Sequence, residues 1–348
     1  MSTSSNDMGR RAFLQASVAT GVLAAGAAQA KAADTTKTIT GTGSMPTRVF
    51  GKTGLELPVL AYGSAPLMTR EDEYYGIASG NYEARVKMVR TAYEKGLRYF
   101  DTARIYGDSE QIFAEAIHDV RDDVFIASKV LVGSAGDVRK SVEDSLRTLK
   151  MDRIDSMQLH GPVIERQGYD GCMPFVEELV KLQEEGLFTY LGLTGHSRFE
   201  EMYKLIDSDG FDTLLVEFGY FHKGYNTRHS NRSLANRERC VARASELNMG
   251  ILAMKVMGAS IFGHNAGKLV SEFDKAQVKK LPASAIRWVL NDPRIHLLNI
   301  GVSVPEDLDA NIATVSGDTT LNNEDRLLLA SFAEQAYMQE AVTDLPVV

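Results

Sequence analysis

The chain has 348 residues, 44% of them hydrophobic and 24% charged, the balance of a soluble globular protein. Its formal net charge is -8 with the basic residues scattered, which argues against nucleic acid as the main partner and offers nothing to an anionic lipid surface. Two cysteines, Cys172 and Cys240, fit no metal spacing. They fall where different helices are expected to begin, so isolated thiols are favoured over a disulfide.

The first thirty residues form a separate object. Arg10 and Arg11 precede Phe13 and Leu14, and an Ala-rich run over 16–28 ends in Ala28, Gln29 and Ala30. A charged start, a short apolar stretch and a small-residue exit are the physical signature of an export signal over residues 1–30. The run is too short to span a bilayer, so no stable membrane anchor is expected. The arginine doublet resembles the twin-arginine (Tat) type of signal, which exports proteins already folded. That resemblance implies the twin-arginine export machinery as a partner and a periplasmic or otherwise exported mature protein. Residues 31–46 are polar and Thr/Gly-rich and read as a flexible leader.

From residue 47 onward the pattern becomes regular. Residues 48–57 place two short strand-like segments around Lys52, Thr53 and Gly54, a hairpin signal. Eight short apolar runs follow, at 59–62, 98–101, 124–129, 154–160, 190–194, 213–217, 251–255 and 296–302. Segments with helical periodicity separate them, among them 82–94, 138–149, 173–185, 237–247 and 283–290. Eight strand–helix units predict an α/β fold with a parallel sheet closed into a (β/α)8 TIM barrel. An open doubly wound sheet usually carries a glycine-rich strand-to-helix turn, and none follows the first strand. No break in composition divides residues 47–340, which read as one domain followed by a tail over 341–348.

In such a barrel chemistry sits where strands end. The strand ends carry Asp101, Lys129, His160 and His196, with Tyr106 in the loop after Asp101. Singly each has an ordinary explanation: a helix cap, a packed aromatic, a structural histidine. Together they describe a proton-transfer device. A carbonyl that accepts hydride needs a proton at that moment. A free tyrosine holds its proton too tightly near neutrality, a neighbouring ammonium favours the phenolate, and a carboxylate keeps that ammonium charged. Hydride itself needs a nicotinamide, since no side chain donates one.

Residues 98–110 (RYFDTARIYGDSE) resemble the signature of the aldo-keto reductase family around its catalytic Asp and Tyr. Residues 145–160 (SLRTLKMDRIDSMQLH) resemble the segment leading to its histidine, and 125–129 (FIASK) its lysine strand. The 48–57 hairpin is similar to the one closing the barrel bottom in that family. The resemblance implies Tyr106 as general acid/base, Lys129 as the group that lowers its proton affinity, Asp101 as the lysine's partner and His160 as the carbonyl-orienting group. It further implies a small aldehyde, ketone or alcohol as substrate and NADP(H) or NAD(H) as cofactor. Ser64, Thr194, Lys255, Ser303 and Asn311 stand where the family holds that cofactor.

The cofactor side departs from the family's pattern. Thr194 keeps a hydroxyl, but Gly195 stands where an Asn is usual, Leu215 where a Gln is usual, and Met254 where a Tyr usually stacks. Where NADP-preferring members place Lys and Arg near the adenosine 2'-phosphate, this chain has Val302 and Asp307, with Glu306 beside them. Residues 303–306 also read as a helix capping box with acids in the first turn. The stretches 192–196 (GLTGH) and 253–258 (AMKVMG) are similar to a branch that often carries a C-terminal iron–sulfur module. Such a module needs a cysteine cluster, and no cysteine follows Cys240. Two other readings stay open on the sequence alone: a non-redox ligand-binding barrel, and a metal-dependent hydrolase using His160, His196 and Asp101. Substrate choice is expected to lie in loops 68–80, 162–171 and 222–236 and in the tail after Tyr337.

Overall fold

In the computed structural model the described residues are 39, 43, 45–67, 80–223 and 226–348. The expected export segment over 1–30 lies outside them, as do most of the expected leader over 31–46 and residues 68–79 of the expected substrate loop. An antiparallel hairpin, β1 (Thr47–Val49) and β2 (Glu56–Pro58), comes first. The eight apolar runs become eight parallel strands: β3 (Leu60–Gly63), β4 (Tyr99–Asp101), β5 (Phe125–Val130), β6 (Ile154–Leu159), β7 (Phe188–Gly195), β8 (Thr213–Glu217), β9 (Gly250–Met254) and β10 (Leu297–Gly301). They pair in chain order and close through β10 on β3, with Leu298 opposite Leu60 and Gly301 opposite Gly63. The fold is the (β/α)8 barrel that the alternation predicts.

Among the described residues, helices follow β3 to β8 in turn: α1 (Tyr82–Glu94), α2 (Ser109–Ala116), α3 (Val138–Leu149), α4 (Gly161–Glu184), α5 (Phe199–Asp207) and α6 (Asn231–Glu246). The chain continues through α7 (Ala266–Leu269), α8 (Lys275–Val278), α9 (Leu281–Leu290), α10 (Pro305–Ser316), α11 (Asn323–Tyr337) and α12 (Glu340–Thr343). Alternate strand residues face opposite ways, which divides the apolar side chains into two cores. Leu60, Tyr62, Phe100, Ile126 and Met157 pack outward with the helices. Tyr99, Phe125, Ala127, Leu215, Leu252 and Leu297 fill the interior.

The hairpin floors that interior. Phe50 meets Tyr99 at 5.7 Å, Phe125 at 6.0 Å and His296 at 6.1 Å, each edge to face. A Cβ on Gly250 would lie 2.7 Å from the Phe50 ring, so β9 needs a glycine where the floor is inserted. Ile39 joins this buried cluster and Met45 the outer one, although both fall in the stretch expected to be a flexible leader.

Several local expectations are corrected. Residues 162–171 are not a loop but part of α4, which begins directly after His160. Pro162 sits in the first turn, where its missing N–H costs nothing, and a single residue, Gly168 at φ 63°, interrupts the helix. The capping box over 303–306 does not form: Pro305 opens α10, Val304 takes the cap position, and no side chain caps the helix. A capping box is found instead at α11, between Asn322 and Asp325. Cys240 lies in the middle of α6 rather than at its start, and both cysteines are free and buried. Phe221, in the stretch after β8, is core, stacked on Tyr337 at 4.4 Å.

Candidate active site

Asp101, Lys129 and His160 end β4, β5 and β6 or directly follow them, so adjacent strands bring them to one sector of the barrel mouth. The Lys129 ammonium lies 2.6 Å from Asp101 Oδ2 and donates to the Thr102 carbonyl at 2.7 Å. Both ionic partners are buried. Lys129 Nζ lies 5.1 Å from the centroid of the Tyr106 ring. The His160 ring meets Tyr106 edge to face at 6.2 Å. The four residues singled out from the sequence therefore converge.

Two further side chains hold the carboxylate. Asn299 on β10 donates to Asp101 Oδ2 at 3.1 Å, and Gln158 on β6 approaches Oδ1 at 3.5 Å. Burial pushes the Asp101 carboxyl up and the Lys129 ammonium down, while their mutual contact opposes both shifts. Burial, with the Lys129 charge nearby, holds His160 down at about 3, so its imidazole is neutral at physiological pH. A neutral histidine orients a carbonyl as hydrogen-bond donor without competing as an acid.

Across the mouth, Glu217 ends β8 and is fully buried, with Oε1 accepting from His229 Nε2 at 2.7 Å. His196 follows β7, its Nδ1 3.9 Å from Glu217 Oε2. Among the residues expected at the cofactor, Ser64, Thr194 and Asn311 are buried and Lys255 is half-buried. Ser303 precedes α10. Asp307, in the first turn of α10, accepts a hydrogen bond from His264 at 2.7 Å.

The glycine at 195 has a packing cause. A Cβ there would lie 2.6 Å from Met202 Sδ on α5, so a larger side chain would have to push that methionine aside. Leu215 likewise belongs to the apolar interior. Among the described residues no group of three His, Cys, Asp or Glu side chains is placed to hold a metal ion.

The family model described as "Aldo/keto reductase family" matches residues 60–326. The chain belongs to that family. It is thus an NAD(P)-dependent oxidoreductase that interconverts carbonyls and alcohols. It is 28% identical over 288 residues to L-galactose dehydrogenase of Arabidopsis thaliana, covering 77% of this chain and 88% of that one. It is 27% identical over 265 residues to the NADPH-dependent codeinone reductase 1-1 of Papaver somniferum, covering 68% and 75%. In fold it is similar to the aldo-keto reductase AKR11C1 from Bacillus halodurans, with a TM-score of 0.63 at 20% identity over 86% of this chain and 99% of that one.

The sequence singled out Asp101, Tyr106, Lys129 and His160, which the fold brings together, but not Gln158, Asn299, Glu217 and His229 around them. A signal for Glu217 existed: like Lys129, it is a charged residue at the end of an apolar run, two positions from Leu215 and so on the same strand face.

Proposed function

We propose that this reductase acts outside the cytoplasm, reducing a small aldehyde or ketone, or oxidising the corresponding alcohol, with Tyr106 as general acid/base. The observation that carries the reading is the chain of contacts from Asp101 through Lys129 to the Tyr106 ring, with the His160 ring beside it. Orphaned buried polar atoms at the mouth, Ser64 Oγ, His196 Nδ1 and Glu217 Oε2, fit a polar ligand with several hydrogen-bonding groups, as a nicotinamide nucleotide is. When bound, that cofactor supplies or accepts the hydride.

The side chains manage the proton. Lys129, kept charged by Asp101, stabilises the phenolate of Tyr106 and so eases release of its proton to the forming alkoxide. In the reverse direction the same phenolate takes the proton from the alcohol. Neutral His160 donates to the carbonyl oxygen and fixes its distance from the Tyr106 hydroxyl. Glu306 and Asp307 at the start of α10 oppose a 2'-phosphate there, so the reductase accepts NAD(H) at least as well as NADP(H).

Export of the folded protein rests on the Arg10–Arg11 doublet and the Ala-rich run after it. Among the described residues no helix is long and apolar enough to cross a membrane. The relatives are named for unlike substrates, so only the carbonyl class is proposed.

The test is Tyr106→Phe. Reduction of model aldehydes by the purified protein falls by at least ~100-fold, the scale of general acid catalysis, while dinucleotide affinity measured by fluorescence is retained. Normal turnover by that variant rules the mechanism out. Mass spectrometry of the protein from the periplasmic fraction, with and without Arg10→Lys/Arg11→Lys, tests export; equal amounts outside the cytoplasm rule it out.

A further inference from the structure

Glu217 faces the barrel axis at the mouth, in register with Met254 of β9. One of its oxygens is held by His229, whose other ring nitrogen lies 3.2 Å from Ser233 Oγ. The other oxygen, Oε2, is buried and has no hydrogen-bond partner. Neither has His196 Nδ1, 3.9 Å away. Leaving a buried carboxylate oxygen and a ring nitrogen unsatisfied side by side is costly, and a fold keeps such a pair where a ligand completes it. Charge does not bind the two together. Burial and the nearby Lys255 hold His196 well below the usual imidazole range, so it is neutral and has a single N–H to give.

An acceptor beside a donor is the complement of a planar primary amide. Position points the same way. In the closed strand order β8 stands diametrically across the barrel from β4, the strand that leads to Tyr106. A carbonyl receives its proton on oxygen and its hydride on carbon, so the hydride donor reaches the substrate from a different direction than the proton donor. The side chains that usually hold an amide there are absent: Gly195, with Met202 packed against it, and Leu215 in the apolar interior stand in their places.

We infer that Glu217 and His196 together hold the carboxamide of the nicotinamide ring, Glu217 Oε2 accepting from its NH2 and His196 Nδ1 donating to its oxygen. The inference rests on the nicotinamide-dependent reading above. His229 and Ser233 fix the carboxylate from behind, and Glu217 supplies the selectivity.

Calorimetric binding of three dinucleotides tests it: NAD+, its 3-acetylpyridine analogue, in which a methyl replaces the NH2, and its nicotinic acid analogue, which carries a carboxylate. The wild-type protein binds the acetylpyridine analogue about 10-fold and the acid analogue at least ~30-fold more weakly than NAD+, since the acid faces Glu217. Glu217→Gln narrows the second gap to within about threefold, because its amide donates to the acid. A merely structural role for Glu217 would weaken all three ligands alike. Wild-type affinities within threefold of one another overturn the inference, as does a Glu217→Gln protein that stays folded and keeps the wild-type order. Should Glu217→Gln not fold by circular dichroism, the wild-type series and His196→Phe decide: if the inference holds, the latter binds NAD+ and the acetylpyridine analogue more weakly by a similar factor and keeps the preference for NAD+, and unchanged affinities overturn it. Binding of no dinucleotide at millimolar concentration defeats the nicotinamide reading itself, and this inference with it.

Discussion

Asp101 shows how much of a site is decided by single hydrogen bonds. It is buried, and three neighbours favour its charged form: Lys129, Asn299 and Gln158. Asn299→Leu removes one of them and leaves the carboxylate easier to protonate. A protonated Asp101 no longer keeps Lys129 charged, so activity that needs the ion pair is lost at a higher pH than in the wild type. The acid limb of the kcat/KM profile is expected to move upward, with about a 10-fold loss at its lower end. An unmoved limb shows that Asn299 only packs. A second expectation concerns the cofactor's far end. Asp307→Lys replaces a repelling charge with an attracting one and should improve NADPH affinity by about 10-fold over NADH, read by fluorescence titration. At this scale the sequence exposed residues that share a short segment, such as Asp101 and Tyr106. It hid those that meet Asp101 or Glu217 from afar, Asn299 from β10 and His229 from the β8–α6 loop, because no spacing along the chain announces a contact made across a barrel.

The strands were legible because a buried parallel strand is a short unbroken apolar run, and each observed strand lies within about two residues of its run. α1 and α3 were equally legible, since their apolar faces recur at helical spacing against the barrel. α4 was half hidden. Pro162, Gly168 and Gly171 together look like a loop, yet only Gly168 breaks the helix. The hairpin is the element whose loss should be felt most. Phe50 touches Tyr99, Phe125 and His296 at the barrel floor, and none of the residues at the mouth. Phe50→Ala is expected to cost about 3–5 kcal/mol of stability through the cavity it leaves. Below its unfolding temperature the variant should retain near-normal KM. A variant with unchanged stability but damaged KM would mean that the hairpin acts on the site rather than on the floor.

Taken whole, the molecule carries several histidines that its fold keeps neutral. Burial holds His160 at about 3 and His222 at about 4, and keeps His196 well below its ordinary value. Their folded values are depressed, so below about pH 6.5 the unfolded chain binds protons that the fold refuses. Stability is therefore fully present above pH 6.5 and is lost as the pH falls toward 3–4, by about 1.4 kcal/mol per pH unit for His160 alone. Denaturant midpoints measured from pH 7.5 to 4 check the slope, and a flat series contradicts it. The two thiols behave oppositely. Burial pushes Cys172 up to about 11 and Cys240 to about 12, and neither is bridged. A thiol reagent should label them only on unfolding, and reductant should leave the melting temperature unchanged.

The seam between β10 and β3 has a consequence in time. Residues near 60 pair on one side with β4 near 100 but on the other only with residues near 300, so the cylinder stays an open sheet with two bare edges until almost the whole polypeptide exists. Nucleation across so long a loop is slow, and bare edges invite pairing with other chains. A ribosome must therefore release nearly all of this protein before its last strand zips shut, and the cytoplasm, with its chaperones, is the safer place for that wait. The export route proposed above, which accepts only finished cargo, is compatible with a chain whose first and last strands must meet before either is secure.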